Sequence, residues 1–224
     1  MKNSMYLSVG VFIVIAITGI LTATYLIKTS QQLETYNPSD IDKNLVDSSL
    51  HLINKHHKIG AFKFVNQLGD SVTEQDFEGK IYVADFFFAT CKGICPKMTH
   101  QMERLSEMFK KDEDIQFISH TVTPKIDTVE ALAAYADLHN AKPPKWHIVT
   151  GEKKKIYEIA RLGYFTLKLT EVGEGDGGES DFIHTNNFVL VDKEKRIRGF
   201  YDGTSYADVD KLMDDIWLLQ KEYD

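Results

Sequence analysis

The chain of 224 residues contains only two cysteines, Cys91 and Cys95, and both closely follow the apolar run at 81–88. Two thiols this close can form a disulfide, exchange with the disulfide of another protein, or bind a metal ion as thiolates. A purely structural disulfide fits poorly, because closing a loop of so few residues removes little chain entropy. The pair therefore indicates redox or metal chemistry.

The spacing of the cysteines favours a metal site. Redox pairs are usually Cys-x-x-Cys, whereas the sequence Lys-Gly-Ile between Cys91 and Cys95 makes a wider loop, in which Gly93 gives backbone freedom. Two thiolates suit a soft ion such as Cu(I), and one neutral imidazole would complete a trigonal shell. The chain offers eight histidines as candidates, which are His51, His56, His57, His100, His120, His139, His147 and His184.

His184 has the most suggestive position among them. It lies between the acidic, glycine-rich stretch 171–181 and the strand predicted at 187–192, where a mobile segment could carry it over the cysteines. An exposed loop histidine is an equally good interpretation, since charged glycine-rich stretches are usually solvated loops. Four other histidines are more typical of solvent-exposed or structural positions: His56, His57, His100 and His120. The residues alone leave the third ligand open.

The elements that must position these groups follow from apolar periodicity and turn residues. Strands are predicted at 62–66, 81–88, 115–121, 146–150, 187–192 and 197–201, and helices at 96–110, 128–138, 153–162 and 206–221. Their alternation predicts an α/β fold with a largely parallel central sheet, and 193–196 is typical of a hairpin turn. Reactive groups in such a sheet lie where a strand ends and a helix begins, and the helix N-terminus favours a thiolate.

The N-terminal part of the chain predicts a membrane anchor. Residues 5–27 carry no formal charge, and a helix of this length spans the roughly 30 Å hydrocarbon layer. A cleavable signal peptide is the alternative, although its apolar core is usually shorter. We expect a short tail at 1–4, the anchor at 5–27, a polar juxtamembrane linker at 28–58 and a globular domain at 59–224. The expected location is the cytoplasmic (inner) membrane of a bacterium, with a single pass and the domain facing the periplasm.

The charge pattern excludes one class of partner. The net charge is −7, and the sequence contains no basic stripe with interleaved aromatic residues. Nucleic acid is therefore not an expected partner.

Four motifs resemble those of the Sco/SenC proteins, which are membrane-anchored, thioredoxin-like copper proteins. The motifs are FFFATCKGICP at 86–96, ISHTVTPKIDT at 118–128, WHIVTG at 146–151 and FIHTNNFVLVD at 182–192. The resemblance extends from about Ile59 to the C-terminus and implies a thioredoxin-like fold with a central mixed sheet flanked by helices. It also implies that Cys91, Cys95 and His184 bind a copper ion, as Cu(I), Cu(II) or both.

Two departures from the family pattern concern this site. Many members have proline and an acidic residue between the cysteines, where this chain has Lys92 and Gly93. Many also have aspartate directly before the ligand histidine, where this chain has Ile183 and the nearest upstream carboxylate is Asp181. A displaced carboxylate would orient the imidazole differently and so change metal affinity and redox preference.

The resemblance implies a copper metallochaperone, not a turnover enzyme. It would deliver copper, or reducing equivalents, for assembly of the dinuclear copper centre of a respiratory cytochrome c oxidase. Its partners would be the copper-bearing subunit of the oxidase or another copper chaperone. The alternative from a different class is a thiol-disulfide oxidoreductase, in which Cys91 attacks and Cys95 resolves. A thiol peroxidase is weaker, because no peroxide-stabilising residues are recognisable around Cys91.

Overall fold

The computed structural model describes residues 10–11, 13–22, 32–43, 46–166 and 185–223. Residues 10–11 and 13–22 are helical. No helix within these described ranges is both long and apolar enough to cross a membrane. The anchor predicted at 5–27 lies partly outside the described residues, and His184 and the acidic stretch 171–181 lie wholly outside them.

One mixed sheet forms the centre of the described part of the chain. Its strands are β1 (Lys63–Asn66), β2 (Ser71–Thr73), β3 (Ile81–Phe87), β4 (Ile115–Thr121), β5 (Trp146–Thr150), β6 (Asn187–Val191) and β7 (Ile197–Asp202). They are ordered β2-β1-β5-β4-β3-β6-β7 across the sheet. β3 pairs parallel with β4, and β4 with β5, while the other pairs are antiparallel.

The expectation of a largely parallel sheet is therefore wrong outside the three central strands, and short connections explain the antiparallel pairing of β1 with β2 and of β6 with β7. A tight turn that contains Gly69, at φ +83°, joins β1 to β2, and the turn at 192–196 joins β6 to β7. Connections this short allow only antiparallel pairing, and glycine adopts the positive φ without a steric penalty. The hairpin predicted at 193–196 is confirmed.

Helices cover both faces of the sheet and divide the core into two layers. The α-helices beyond residue 32 are α1 (Cys95–Met108), α2 (Val129–Leu138), α3 (Lys153–Glu158) and α4 (Tyr206–Tyr223), and a π-helical turn, Ile159–Gly163, extends α3. Side chains of β3 alternate between the layers, as strand geometry requires. Ile81, Val83 and Phe87 pack with α1, α2 and α4, while Tyr82 and Phe86 pack with α3 and its π-helical turn.

Described residues of the predicted linker at 28–58 contact the domain. Tyr36 forms an isolated antiparallel bridge with Ile197 of β7. Val46 is only 1% exposed and belongs to the core layer beside α3. These contacts place the chain that precedes the domain along the edge of β7.

A buried guanidinium joins this N-terminal segment to the domain. Arg198 is 4% exposed, and its Nη1 and Nη2 lie 3.1 Å from Asp192 Oδ2 and 2.7 Å from Glu222 Oε2. The same side chain donates to the carbonyl oxygens of Leu33 at 2.6 Å and Glu34 at 2.9 Å. Arg198 therefore connects β7, the C-terminal helix α4 and the N-terminal segment through one charge.

We expect Arg198→Ala to lower the free energy of unfolding by about 3 kcal/mol or more, because it leaves Glu222 without its buried cation and Asp192 with Arg196 alone. The matched control is Arg104→Ala, which breaks a 2.7 Å pair with Asp210, a half-exposed carboxylate, and should cost about 1 kcal/mol or less. Urea titration followed by tryptophan fluorescence measures both. Equal losses in the two variants would contradict the structural role of Arg198.

Candidate functional site

The two cysteines lie at the strand-to-helix corner that the sequence predicts. β3 ends at Phe87 and α1 begins at Cys95, so the loop 88–94 crosses the carboxyl edge of the parallel strands. Both thiols are free; Cys91 is partly buried and Cys95 is 5% exposed. They border a cavity of about 350 Å³ whose walls are mainly aromatic and aliphatic: Phe86, Phe87, Phe88, Cys91, Lys92, Gly93, Ile94, Cys95 and Thr185.

Hydrogen-bond donors surround the sulfur of Cys91. The backbone N–H of Gly93 donates to it at 3.4 Å, and the backbone N–H groups of Ile94 and Cys95 and the Cys95 thiol also donate. Burial acts to raise the pKa of the Cys91 thiol, but these hydrogen bonds together lower it below its ordinary value. Cys91 is therefore the first of the pair to become a thiolate and the better nucleophile.

Cys95 has the opposite character. Burial, and next the hydrogen bond between its thiol and the Cys91 sulfur, raise the pKa of Cys95 to about 12. The negative charge of Asp85 acts in the same direction. The pair thus combines one accessible sulfur that ionises easily with one buried sulfur that keeps its proton until a metal ion or a bond to Cys91 replaces it.

Asp127 fixes the cysteine loop. Its carboxyl group is fully buried, and Oδ2 accepts hydrogen bonds from the Ala89 N–H at 3.2 Å, the Thr123 hydroxyl at 2.9 Å and the Thr121 hydroxyl. The loop after β3 is therefore tied to the loop after β4. Asp127 is a positioning residue for the cysteines.

A second buried carboxyl group, Asp85, lies in the middle of β3. It is 2% exposed, and by strand alternation it faces the core layer that contains Cys95. Its Oδ1 has no hydrogen-bond partner within the described part of the chain. Burial raises the pKa of Asp85 to about 7, and a hydrogen bond from Ser119 lowers it only in part.

The described histidines lie away from the cysteine cavity. His100 is exposed, with Nδ1 3.2 Å from Glu103 Oε2, and His57 Nε2 lies 2.9 Å from the Gly163 carbonyl oxygen. His120 is fully buried, and burial lowers the pKa of its imidazole to about 4. Among the described residues, no group of three or more His, Cys, Asp or Glu side chains could hold a metal ion.

His184 itself lies outside the described residues. Thr185, the next residue along the chain, lines the cavity of Cys91 and Cys95. The described chain thus resumes beside the two sulfurs.

Asp85 and Asp127 are the two site residues that the sequence analysis did not single out. Asp85 carried a signal, because it is the one charged residue in the apolar run at 81–88. The sequence gives no such signal for Asp127, because an aspartate before the start of a helix is usually a helix cap. Only the folded structure shows that Asp127 accepts a hydrogen bond from the Ala89 N–H.

Comparison with known proteins gives a consistent family match. A family model described as SCO1/SenC matches residues 51–218. The curated SCO1 protein homolog of Bacillus subtilis (strain 168) is 28% identical over 163 residues, which cover 72% of this chain and 82% of the homolog.

Solved structures show the same architecture. BsSco is a member of the Sco family of cytochrome c oxidase assembly proteins, and a disulfide switch was identified in it. Its structure aligns with this chain with a TM-score of 0.60 and 29% identity, over 73% of this chain and 93% of BsSco. Copper-bound ScoI of Arabidopsis thaliana aligns with a TM-score of 0.55 and 23% identity, over 73% and 98% of the two chains. The α/β, thioredoxin-like fold with a mixed sheet is thereby confirmed.

The two thiols should react at very different rates. We expect the rate at which iodoacetamide alkylates Cys91 to rise with pH around a pKa below that of an ordinary thiol. Cys95 should stay nearly unreactive up to about pH 9. Cys95→Ser should raise the pKa of Cys91, because the thiol that donates to its sulfur is replaced by a differently placed hydroxyl. Mass spectrometry of peptides from a pH series gives both rates. Equal alkylation of the two cysteines at neutral pH would show that the asymmetry is absent.

Asp85→Asn should stabilise the protein at pH 8. The folded pKa of about 7 lies above the ordinary value of 3.8, so the contribution of Asp85 to stability is greatest below about pH 4 and is lost as the pH rises through 7. The neutral amide avoids that loss, which amounts to at most about 4 kcal/mol. Urea titrations at pH 4.5 and pH 8 test this. The control Asp127→Asn should destabilise at both values, and an Asp85→Asn effect independent of pH would contradict the assignment.

Proposed function

Because this chain belongs to the SCO1/SenC family, we propose that it binds copper and delivers it for assembly of the dinuclear copper centre of a respiratory cytochrome c oxidase. The observation that carries the proposal is the pair of hydrogen-bonded thiols in a cavity that Thr185, the neighbour of His184, also lines. The copper-bound Arabidopsis relative supports copper as the cargo.

The proposed ligands are Cys91, Cys95 and His184. Two thiolates and one neutral imidazole are a donor set that suits Cu(I). Thr185 borders the cavity, and consecutive Cα atoms are about 3.8 Å apart, so we assign the third ligand to the neighbouring residue His184. Binding would release the proton of Cys95, because a metal-bound thiol is deprotonated.

The geometry suits delivery more than permanent storage. Cys91 is partly exposed at the mouth of the cavity, while Cys95 lies behind it at the start of α1. A partner's ligands can therefore replace Cys91 first and Cys95 last, so that the ion passes by ligand exchange. The receiving partner would be the copper-bearing subunit of the oxidase or another copper chaperone.

The proposal includes a location. Residues 5–27 would anchor the chain as a single span of the cytoplasmic membrane, with the domain in the periplasm. The length and apolar character of this stretch support the anchor.

The thiol asymmetry also favours a second candidate function, a thiol-disulfide oxidoreductase. The thiolate of Cys91 would attack a partner disulfide, form a mixed disulfide and release one partner thiolate. Cys95, after losing its proton, would attack the Cys91 sulfur, release the second partner thiolate and leave a Cys91–Cys95 disulfide. The disulfide switch of BsSco is consistent with such chemistry in a relative.

Copper binding by the reduced full chain tests the main proposal. We expect one tightly bound copper ion per chain under anaerobic conditions, and its loss in Cys91→Ser/Cys95→Ser. His184→Ala should weaken binding by more than about tenfold, because loss of even an indirect supporting residue costs that much. The measurement is a competition titration with a chromophoric Cu(I) chelator.

His100→Ala is the matched control, because this exposed histidine contacts Glu103 and does not line the cavity. It should bind copper as the wild type does. Absence of specific copper in the reduced wild type, with disulfide exchange intact in His184→Ala, would overturn the copper proposal and leave the oxidoreductase.

A further inference from the structure

One loop borders the cysteine cavity and a second loop is joined to it, and the exposed charged groups of both are positive. The loop and first helical turn at 88–97 and the loop at 122–128 are joined by the hydrogen bond from the Ala89 N–H to Asp127. They contain three lysines, which are Lys92, Lys97 and Lys125, and all three are exposed. We call this surface the cysteine rim.

The cysteine rim presents no carboxylate at its surface. Its only acidic residue is Asp127, which is 0% exposed and accepts hydrogen bonds from Ala89, Thr121 and Thr123. Lys92 and Lys97 form no ion pair with any residue that the structure describes. The chain as a whole has a net charge of −7, so this positive rim contrasts with the rest of the protein.

Two carboxylates elsewhere at this edge of the sheet accept hydrogen bonds within their own loop. Asp202 and Asp208 lie beside the connection from β7 to α4, and β6 separates β7 from the cysteine-bearing strand β3. Asp202 Oδ1 accepts from the Thr204 N–H at 2.8 Å, and Asp208 Oδ2 accepts from the Asp202 N–H at 3.1 Å. These carboxylates do not frame the cysteine cavity.

Apolar side chains stand between the lysines. Ile94, between the two cysteines, is 42% exposed, and Ile126, next to Lys125, is 60% exposed. Large exposed aliphatic groups are typical of the centre of a protein interface, with charged groups at its margin, and Ile94 also lines the cysteine cavity.

We propose that the cysteine rim docks a protein partner whose surface presents carboxylates around an apolar centre. The proposal deepens the proposed function and rests on it, because a protein that takes copper or electrons from Cys91 would meet the loop that carries this residue. Lys92 and Lys97 would steer an acidic partner and disfavour a basic one, while Ile94 and Ile126 would pack against its apolar centre.

Small charged disulfides can probe the electrostatic field at Cys91 even though the protein partner is not identified. The Cys91 thiolate attacks one sulfur of the probe and releases one thiolate; Cys95 then loses its proton, closes the protein disulfide and releases the second thiolate. The probes are oxidised glutathione, which is an anion, and cystamine, which is a dication. Each rate is divided by the rate of the same probe with N-acetylcysteine amide. The reduced full chain is used, so that the carboxylates at 171–181 also act on the probe.

We expect the normalised rate to be higher for the anion than for the dication at low ionic strength, and the ratio to approach one at 0.5 M salt. Lys92→Glu/Lys97→Glu should lower the ratio by about tenfold, as expected for charge reversal roughly 10 Å from the sulfur. The control Lys111→Glu/Lys142→Glu makes the same change in net charge at exposed positions away from the rim, and should leave the ratio unchanged.

A wild-type preference for the dication, or an equal effect of the two double variants, would overturn the proposal. Copper stoichiometry of the same variants separates it from the proposed function. Loss of the anion preference with one copper still bound would refute only the acidic partner. An anion preference in a chain that binds no copper would support the acidic partner for a thiol reductase and refute copper delivery.

Discussion

The placement of one accessible and one buried thiol at a single strand-to-helix corner is the constraint on which the proposed function depends. It requires a strand that ends beneath the loop and a helix that begins at Cys95, so that backbone N–H groups point at the Cys91 sulfur. It gives the two thiols opposite pKa shifts, one lowered and one raised to about 12. One sulfur can therefore meet a partner while the other retains its proton in the core.

The surrounding structure serves to keep this corner rigid. The parallel strands β3 and β4 place Asp127 where it holds the start of the cysteine loop at Ala89, and α1 packs its apolar face on the sheet. At the opposite end of β7, Arg198 joins the N-terminal segment to α4 through buried charges. Thr185, where the described chain resumes, lines the cavity of the two cysteines.

Much of this organisation could be predicted from the sequence, and the failures have physical reasons. The apolar runs predicted six of the seven strands to within one or two residues, but β2, at Ser71–Thr73, is too short to show a period. The corner carrying Cys91 and Cys95 followed from the order of strand and helix. The antiparallel pairing of β1 with β5 and of β3 with β6 did not follow, because no short turn joins either pair. The burial of Asp85 and Asp127 depends on packing that only the folded chain reveals. The role of His184 stays a prediction.

X-ray absorption spectroscopy at the copper edge, on the reduced full chain loaded with one copper ion, identifies the atoms bound to the ion. We expect a first shell of two sulfur atoms and one nitrogen atom, with one sulfur lost in Cys91→Ser and the nitrogen replaced or lost in His184→Ala. A shell made only of nitrogen and oxygen, or a sulfur count that Cys91→Ser does not change, would contradict it.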